Sequence, residues 1–422
     1  MAHGAAEVAG PGGEADVAVV GAGLAGLNCA RELVARGLVP VVLEASDGVG
    51  GRVRSDRLDG FVLDRGFQVY LTAYPEGRRA LDLAALDLRR FRPGAMTWHG
   101  GRRWTVSDPF RRPQDLPATL GAPVGSLADK ARLGLLRQRI RSVSPAALLR
   151  AEEATTIEVL CDAGFSAATV ERFWRPLFGG IQLDPTLQTS RRAFEIVLRA
   201  FFDGHAAVPA AGMGAIPAQL AASLPAASVR LGCAPTAVEP GLVTLAGGER
   251  VGARAVVVAT EAPAAGRLLG LAVPPSRPVA SVYFGAERPP FEEPSILLDG
   301  TGAGPAANVA VMTNVAPGYG PPGAALVACA VVGAPARAGL DAEVRDQLRR
   351  WFGSAVDRWR HLRTYRIAHG QPDQRPPFSP KQRVRLQPGL YVCGDHRDTA
   401  SIQGALYSGR RTAEAVADQL AR

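Results

Sequence analysis

Lysine is nearly absent from this 422-residue chain, which contains only Lys130 and Lys381 beside 46 arginines. The formal net charge is +9, so an anionic partner such as a phosphate, an acidic lipid or a nucleic acid is permitted, but charge does not choose among them. A bias towards arginine and alanine is also what GC-rich coding produces. The chain has neither a nucleic-acid-binding motif nor a stripe of interleaved basic and aromatic residues, so we expect no nucleic-acid partner.

Cysteine and histidine are also scarce. The five cysteines are scattered without a C-x-x-C pair, and the six histidines show no metal-ligand spacing. We therefore expect reduced thiols, no bound metal and a cytoplasmic location. Met1–Asp16 lacks a basic start followed by an apolar core, which argues against a signal peptide. Prolines interrupt the two long uncharged stretches, Ala206–Ser228 and Thr301–Ala336, so neither is predicted to span a bilayer.

The apolar residues that are present form short runs typical of a parallel sheet. Hydrophobic residues make up 47% of the chain and charged residues 21%, as in globular proteins, and the length allows two or three domains. Runs at Val17–Val20, Val41–Glu44, Ala255–Ala259 and Leu390–Cys393 predict buried strands. Helical spacing of apolar residues follows the first and the last of these runs. The expected fold class is therefore α/β.

A glycine-rich turn lies between the first predicted strand and the first predicted helix. In this G-x-G-x-x-G pattern, Gly21 would make the tight turn, Gly23 would let the backbone approach a pyrophosphate, and Gly26 would let the helix pack close to the strand. The helix N-terminus offers free N–H groups to phosphates. Glu44 ends the next strand, where a carboxylate accepts both hydroxyls of an adenosine ribose. The pattern predicts a dinucleotide site that disfavours a 2′-phosphate.

Three further motifs lie outside the glycine fingerprint: Gly50-Gly51-Arg52 after the second strand, Asp64-Arg65-Gly66 further on, and Gly394-Asp395 after the last strand. They resemble motifs of the flavin-containing amine oxidase superfamily, which includes protoporphyrinogen oxidases and phytoene-desaturase-like enzymes. Gly404-Ala405 resembles the start of the helix that faces the flavin C2 carbonyl in that superfamily. The resemblance implies FAD as cofactor, with the Gly-Gly-Arg turn against pyrophosphate and flavin and with Asp395 on the ribityl chain.

The resemblance and the glycine fingerprint together imply a cofactor-binding set, in which Val238 and Thr260 would cover the adenine side and Asp64 would lie near the flavin ring. The set comprises Gly21, Gly23, Leu24, Ala25, Gly26, Glu44, Ala45, Gly50, Gly51, Arg52, Asp64, Gly66, Val238, Thr260, Gly394, Asp395, Gly404 and Ala405. Cys393 lies directly beside the Gly-Asp motif rather than at the distance of a covalently linked cysteine, so non-covalent FAD is expected.

The motif-bearing segments predict how the chain is divided. Residues 1–73, 206–262 and 386–422 would form a Rossmann-like FAD-binding domain. Residues 74–205, in a region predicted to be mostly helical, and residues 263–385, which mix strand-like runs with a helix, would form a discontinuous α+β substrate domain.

The substrate side has only weak candidates. His205 lies where the chain returns to the predicted cofactor domain, and His369 and Gln371 precede its last segment. Aromatic candidates for a substrate pocket, most of them expected in the core, are Phe173, Trp174, Phe178, Phe201, Phe202, Tyr283 and Tyr365. A helix at Leu127–Val143 would oppose arginines to Leu133, Leu136, Ile140 and Val143. Such a basic amphipathic face permits peripheral membrane contact, although a solvated helix is favoured.

The expected function is FAD-dependent oxidation of a small organic molecule. A hydride would pass from a C–N or C–C bond to flavin N5, and oxygen or another acceptor would reoxidise the flavin. The lysine that commonly binds a water at N5 in such amine oxidases would lie within Pro263–Val332, where this chain has none. A desaturase or isomerase of an apolar polyene or a tetrapyrrole is therefore the alternative enzyme. A flavin-free binding protein similar to Rab GDP-dissociation inhibitors is the alternative of another class.

Overall fold

A computed structural model describes residues 15–333 and 338–421. The strands are β1 (Ala15–Val20), β2 (Pro40–Leu43), β3 (Ser55–Leu58), β4 (Phe61–Asp64), β5 (Tyr70–Leu71), β6 (Leu88–Arg90), β7 (Ala95–His99), β8 (Arg102–Val106), β9 (Ala206–Pro209), β10 (Val229–Arg230), β11 (Pro235–Glu239), β12 (Leu242–Leu245), β13 (Arg250–Val258), β14 (Ser276–Ala286), β15 (Ile296–Asp299), β16 (Ala306–Val311), β17 (Ala325–Val332), β18 (Arg360–Pro372), β19 (Arg385–Gln387) and β20 (Leu390–Val392). The helices are α1 (Leu24–Val34), α2 (Pro75–Ala80), α3 (Leu116–Gly121), α4 (Leu127–Ser142), α5 (Pro145–Leu148), α6 (Thr156–Asp162), α7 (Ala167–Thr169), α8 (Arg175–Ile181), α9 (Arg191–Asp203), α10 (Ala215–Ala222), α11 (Ala262–Leu269), α12 (Met312–Val315), α13 (Leu340–Phe352) and α14 (Ile402–Leu420).

The first sheet has eight strands and carries the glycine motifs. Its parallel strands lie in the order β10–β2–β1–β13–β20. The antiparallel strand β12 pairs with the first residues of β13, while β20 pairs with the last. The side chains of Val17–Val20 are fully buried, because a parallel sheet of this type is covered on both faces. The predicted α/β fold class is confirmed.

Helices α1 and α14 pack together against this sheet. Gly409 of α14 permits their close approach, because a Cβ atom there would lie 2.3 Å from the Ala25 carbonyl oxygen. The Asn28 amide of α1 donates a 2.7 Å hydrogen bond to the Leu406 carbonyl oxygen of α14. These contacts fix the start of the last helix beside the first glycine turn.

The second sheet has seven strands in the order β18–β14–β17–β16–β15–β7–β8. All of its neighbours are antiparallel except β15 and β7. Leu340, Val344 and Leu348 of α13 are buried in an apolar cluster with residues of this sheet. The strands of the two sheets come from different parts of the chain, and the division into two domains stays a prediction.

The region at residues 72–205, predicted to be mostly helical, contains helices α2 to α9 but also three strands near its start. That stretch contributes β6 to a small sheet and β7 and β8 to the second sheet. Gly100 and Gly101 join β7 to β8, and both have positive φ angles, of 61° and 76°. Two consecutive glycines of this conformation make the tight turn of a hairpin, so the Gly-Gly pair was the signal for these strands.

The longest described helix, α14, has 19 residues and includes several charged side chains. Over residues 15–333 and 338–421, no helix combines the length and apolar character needed to cross a bilayer.

Candidate functional site

The parallel strands of the first sheet end together, and this common edge positions the candidate site. Their last residues lie in one hydrogen-bonded row: Val20, Leu43, Val258 and Val392. Residues of the predicted cofactor set follow within two positions of these ends: Gly21, Glu44, Thr260 and Gly394. Ligands of open α/β sheets bind at the carboxyl ends of the strands, so this edge is where a nucleotide would lie.

The first glycine turn combines close packing with an open helix end. A Cβ atom at Gly21 would lie 3.0 Å from the Ala259 carbonyl oxygen, and one at Gly26 would lie 2.0 Å from the Gly21 carbonyl oxygen. A Cβ atom at Gly23 would have no neighbour within 4 Å. Gly23 precedes α1, and no side chain caps the helix there. The N–H groups at Leu24 and Ala25 therefore lie at an uncapped, positively polarised helix end that suits a phosphate.

The Glu44 carboxylate lies beside this turn. Its Oε2 atom accepts a 2.7 Å hydrogen bond from the Ala22 N–H, and its Oε1 atom accepts from the Ser46 N–H at 2.9 Å and the Ser46 hydroxyl at 2.7 Å. These bonds orient the carboxylate after β2, and Ala45 lies in the same turn. Carboxylate oxygens have further lone pairs, so Glu44 can still accept from a hydroxyl.

The second glycine turn contacts the first. The Gly50 N–H donates to the Ala22 carbonyl oxygen at 2.8 Å, and Gly23 and Gly50 form an isolated parallel bridge. A Cβ atom at Gly51 would lie 3.5 Å from the Gly23 Cα atom. Two turns that the chain separates by nearly thirty residues therefore present their backbones side by side.

Arg52 joins this second turn to two distant segments. Its Nη2 atom lies 2.7 Å from Asp395 Oδ1, and its Nη1 atom donates to the Gly370 carbonyl oxygen at 2.9 Å. Burial alone would lower the pKa of the Arg52 guanidinium, but the Asp395 carboxylate outweighs burial and leaves the pKa above its usual value. Gln68 supports the turn by donating to the Arg52 carbonyl oxygen at 2.7 Å. Sequence reasoning missed Gly370 and Gln68.

Asp64 is buried among protein partners. It accepts hydrogen bonds from the Ser55 hydroxyl at 2.5 Å, the Met213 N–H at 2.9 Å and the Tyr319 hydroxyl at 2.8 Å. Burial raises the pKa of Asp64 to about 6, and these hydrogen bonds only partly oppose that rise. The fold itself therefore supplies the hydrogen-bond partners of this carboxylate. Gly66, two residues later, packs against β18, since a Cβ atom there would lie 3.0 Å from Ile367 Cδ1.

The last motif lies between the first glycine turn and α14. A Cβ atom at Gly394 would lie 3.5 Å from the Thr260 carbonyl oxygen, and one at Gly21 would lie 3.3 Å from the Thr260 nitrogen. Both ring nitrogens of the adjacent His396 are buried without a hydrogen-bond partner in the described part of the chain. Burial lowers the pKa of His396 to about 4, so this ring is neutral. Sequence reasoning missed His396, although it directly follows the Gly-Asp motif.

The N-terminus of α14 is close-packed and partly capped. The Ser401 hydroxyl accepts a 3.0 Å hydrogen bond from the Gly404 N–H. A Cβ atom at Gly404 would lie 2.0 Å from the Thr399 carbonyl oxygen, and Ala405 is partly buried in the same turn. Val238, by contrast, is partly buried on β11 against the apolar cluster that contains Val243 and Val256.

The substrate-side candidates separate into two places. His205 contacts Thr72 through its backbone N–H and Arg111 through its ring, and burial, then the charge of Arg111, lowers its pKa. His369 and Gln371 instead flank Gly370, whose carbonyl oxygen holds Arg52. The His369 ring lies 2.8 Å from the Ser276 hydroxyl, and the Gln371 amide donates to the Ile181 carbonyl oxygen at 2.8 Å. The structure thus brings His369 and Gln371, and not His205, to the Arg52 segment.

Most of the aromatic candidates are core residues. Trp174 packs edge-on or tilted against Phe173, Phe178 and Phe194, and Trp174 and Phe178 are almost completely buried. Tyr283 is buried and donates to the Asp64 carbonyl oxygen. No group of three or more metal-ligating side chains occurs in the described ranges.

Segments of the chain are similar to curated proteins. A 46% identical segment of 82 residues aligns with putrescine oxidase from Kocuria rosea and covers 19% of this chain and 17% of that protein. A 31% identical segment of 140 residues aligns with 15-cis-phytoene desaturase from Synechococcus elongatus and covers 30% of this chain and 29% of that protein. The alignments therefore span less than a third of these curated relatives.

A solved structure shares the whole fold at low identity. Cyclohexylamine oxidase from Brevibacterium oxydans matches with a TM-score of 0.71 and 17% sequence identity, over 97% of this chain and 100% of that one. The sequence profile described as flavin containing amine oxidoreductase matches residues 24–417. The superfamily predicted from the motifs is confirmed, and the chain belongs to the flavin-containing amine oxidoreductase family.

Proposed function

We propose that the chain binds FAD non-covalently along the strand-end edge of the first sheet and acts as an FAD-dependent oxidoreductase. Family membership implies a flavin. The observation that carries the proposal is the convergence of two glycine turns and the Gly394-Asp395 motif, tied together by the ion pair between Arg52 and Asp395. Each part supplies a donor, an acceptor or an open backbone that suits a flavin dinucleotide.

Each element of the edge suits one part of FAD. The uncapped start of α1 would bind the pyrophosphate through its N–H groups. Glu44 would accept from the ribose hydroxyls, and its charge would repel a 2′-phosphate. Gly50, Gly51 and Arg52 would lie along the pyrophosphate and flavin, while Asp395 would accept from the ribityl chain. The unpaired ring nitrogens of His396 are the kind of buried polar atoms that a bound group satisfies.

The cysteines support non-covalent FAD binding and a reducing location. Cys393 is fully buried in the apolar cluster beneath α14, beside Cys29, and contact with Cys393 raises the pKa of the Cys29 thiol well above its usual range. A thiol buried in an apolar cluster, as Cys393 is, is a poor candidate for covalent attachment to a flavin. All five cysteines are free, which supports a reducing, cytoplasmic location.

Bound FAD would supply the hydride acceptor for oxidation of a C–N or C–C bond, with oxygen or another acceptor completing the cycle. The chain would bind, orient and desolvate the organic substrate. His369 and Gln371 are the proposed substrate-contacting side chains, because they flank the carbonyl group that fixes Arg52. Ser276 holds the His369 ring from Nδ1, which leaves Nε2 as the atom able to exchange a hydrogen bond with a substrate.

The positions of the lysines favour a second candidate substrate class. Lys130 donates to the Leu120 carbonyl oxygen beside α4, and Lys381 lies over the Tyr407 ring. Neither lies on the strands that neighbour His369, so a lysine-bound water of the amine-oxidase kind has no provider there. Desaturation or isomerisation of an apolar polyene or tetrapyrrole therefore stands beside amine oxidation as the proposed reaction.

The absorbance of the purified protein tests the cofactor. We expect flavin bands, and acid precipitation should release the flavin into the supernatant because no covalent bond holds it. A colourless protein that takes up no FAD would support the flavin-free binding protein instead. Pelleted flavin would contradict non-covalent binding.

Anaerobic mixing tests the substrate class. Bleaching of the bound flavin by a polyene or a porphyrinogen, with no bleaching by primary amines, would select the desaturase-type reaction. The reverse result would select amine oxidation. Both outcomes are measured as the absorbance of the bound flavin without oxygen, so they do not depend on the electron acceptor.

A further inference from the structure

Exposed apolar side chains concentrate in one short stretch of the described chain. Seven large hydrophobic residues are strongly exposed, and five of them lie between residues 110 and 135: Phe110, Leu116, Leu120, Leu127 and Leu135. Leu127 is 66% and Leu135 69% exposed. Single exposed leucines are ordinary, but a group of neighbouring ones marks an interaction surface.

Two of these leucines share one face of α4. Leu127, Ala131 and Leu135 follow one another at four-residue spacing, which places them in a row, and all three are exposed. Leu136 and Ile140 lie on the opposite face and are buried with residues of α9. The apolar residues that the sequence opposes to the arginines therefore face the core, because Leu133 and Val143 are partly buried against the same cluster.

The segment before α4 extends the same surface. Residues 116–128 contain no charged side chain, and most of them are exposed. The Lys130 ammonium of α4 donates to the Leu120 carbonyl oxygen at 2.6 Å, which holds the end of α3 against α4. The Arg137 guanidinium lies 4.3 Å from the centre of the Phe110 ring, which places Phe110 beside the same helix. These contacts bring α3, which carries Leu116 and Leu120, and the Phe110 ring beside α4, which carries Leu127 and Leu135.

Basic side chains surround this uncharged area. Residues 110–142 contain seven basic and two acidic side chains. Two carboxylates that pair with arginines of α4 lie beneath the helix: Asp129 is 1% and Glu195 0% exposed, whereas Arg139 is 41% exposed. Asp203, which pairs with Arg141, is partly exposed at 30%. The charge presented to solvent around the apolar area is thus mainly positive.

We propose that this α3–α4 surface, formed by Phe110, Leu116, Leu120, Leu127 and Leu135 with its rim of basic residues, docks on the surface of an anionic phospholipid bilayer. The apolar side chains would enter the boundary between headgroups and acyl chains, and the arginines would contact lipid phosphates. A second copy of the chain fits less well, because a two-fold interface would bring two basic rims together. The docking does not depend on the identity of the oxidised substrate.

Co-sedimentation of the full chain with vesicles tests this proposal. The vesicles contain phosphatidylcholine with about 30% phosphatidylglycerol, and pure phosphatidylcholine vesicles serve for comparison. We expect binding to the anionic vesicles that weakens between about 0.1 M and about 0.5 M salt, because salt screens exposed charges. The double variant Leu127→Ser with Leu135→Ser should bind at least about tenfold more weakly, because it removes the inserting side chains.

The matched control is Val39→Ser, which makes the same kind of change at a 52% exposed residue between α1 and β2. This variant should bind vesicles like the wild type, and all variants should unfold at wild-type temperatures because the changed side chains are exposed. Absence of vesicle binding would overturn the proposal, as would equal binding by the double variant. A wild-type dimer that the double variant converts to monomers, without vesicle binding, would assign the surface to a second copy and also overturn it.

Discussion

The Arg52 guanidinium lies 2.7 Å from the Asp395 carboxylate, across 343 positions of sequence. The same guanidinium donates to the Gly370 carbonyl oxygen. One side chain therefore ties the second glycine turn to the end of β18 and to the Gly-Asp motif after β20. These three segments come from both sheets, so the Arg52 guanidinium contacts both the proposed cofactor edge and the proposed substrate side.

Replacing Arg52 by methionine should destabilise the fold and weaken FAD binding together. The Asp395 side chain is only 7% exposed and would lose its cation, whereas Arg52 is 30% exposed, so we expect a loss of about 2 kcal/mol rather than the full effect of a buried pair. Denaturant unfolding and the ratio of bound flavin to protein measure the two effects. Arg65→Met, which breaks a more exposed pair with Asp56, should cost less than about 1 kcal/mol and keep the flavin.

The carboxylate of Glu44 should determine how tightly FAD is held. Glu44→Ala removes both acceptor oxygens beside the first glycine turn, and we expect purified protein largely depleted in flavin, as for Asp395→Ala. Glu44→Gln keeps one acceptor and should bind FAD about tenfold more weakly than the wild type. Asp47→Asn is the matched control, since Asp47 is strongly exposed and pairs with Arg54. Full flavin retention in both alanine variants would refute the assigned roles.

The sequence allowed the local parts of the site to be predicted, since their chemistry depends on short spacings. The turn at Gly21, the position of Glu44 and the last strand lie where the patterns place them. The strand expected at Ala255–Ala259 begins earlier, at Arg250. Its first residues were not recognised from the sequence because they alternate between exposed and partly buried positions beside β12. An apolar run detects only the fully buried half of such a strand.

Long-range relationships could not be predicted in this way. Gly370 acts through its backbone carbonyl oxygen, which has no residue-type signature. Asp64 was expected near the flavin, yet its carboxylate has a partner on the neighbouring strand, Ser55, and partners from two distant segments, Met213 and Tyr319. The role of Asp64 beside a flavin stays a prediction, because the fold explains its burial without one.

Asp64 should make the protein less stable as the pH rises through about 6. Its pKa is raised from 3.8 to about 6, so the folded state holds more protons than the unfolded state between these values. The stability that Asp64 contributes is therefore largest below the unfolded pKa and falls by about 2–3 kcal/mol on passing the folded pKa. His396, whose pKa is lowered to about 4, contributes with the opposite sign over an overlapping range. The difference in unfolding free energy between the wild type and Asp64→Asn, measured between about pH 4 and about pH 7.5, should therefore show the Asp64 contribution.

Asp56→Asn is the control for that titration. Burial alone would raise the pKa of Asp56, but hydrogen bonds from Arg65 and Tyr365 outweigh burial and lower it. Asp56 is therefore largely ionised in both states above about pH 5, and the stability that it contributes is lost as the pH falls below that value. This variant should keep the wild-type pH dependence above about pH 5, and an Asp64→Asn protein whose pH dependence matches that of the wild type would contradict the assignment to Asp64.

Substitution by alanine should have different effects at two glycines of the first turn. A Cβ atom at Gly26 would lie 2.0 Å from the Gly21 carbonyl oxygen, so Gly26→Ala should cost about 3 kcal/mol of stability. A Cβ atom at Gly23 has no neighbour within 4 Å, and the φ angle there is −73°, so Gly23→Ala should change stability by less than about 1 kcal/mol. The same Cβ would project where FAD is proposed to lie.

Thermal unfolding should therefore detect a folding defect in Gly26→Ala, and flavin content should detect a binding defect in Gly23→Ala. A Gly23→Ala protein with normal FAD affinity would place the pyrophosphate elsewhere.

The proposed substrate side predicts a contrast between two histidines. His369 neighbours the Gly370 carbonyl group that holds Arg52, whereas His205 contacts Thr72 and Arg111. With the substrate class that reduces the flavin, His369→Gln and Gln371→Leu should slow anaerobic flavin reduction by about tenfold to about a hundredfold, because an orienting polar contact is lost. His205→Gln should leave the rate within about twofold, since its contacts lie away from that segment.

Bound flavin should stay at wild-type levels in all three variants, and the rate of flavin reduction by dithionite should be unchanged. A slower reduction by the substrate then reports on substrate binding or orientation. A rate lowered only in His205→Gln would move the substrate site to the β5–β9 side of the molecule.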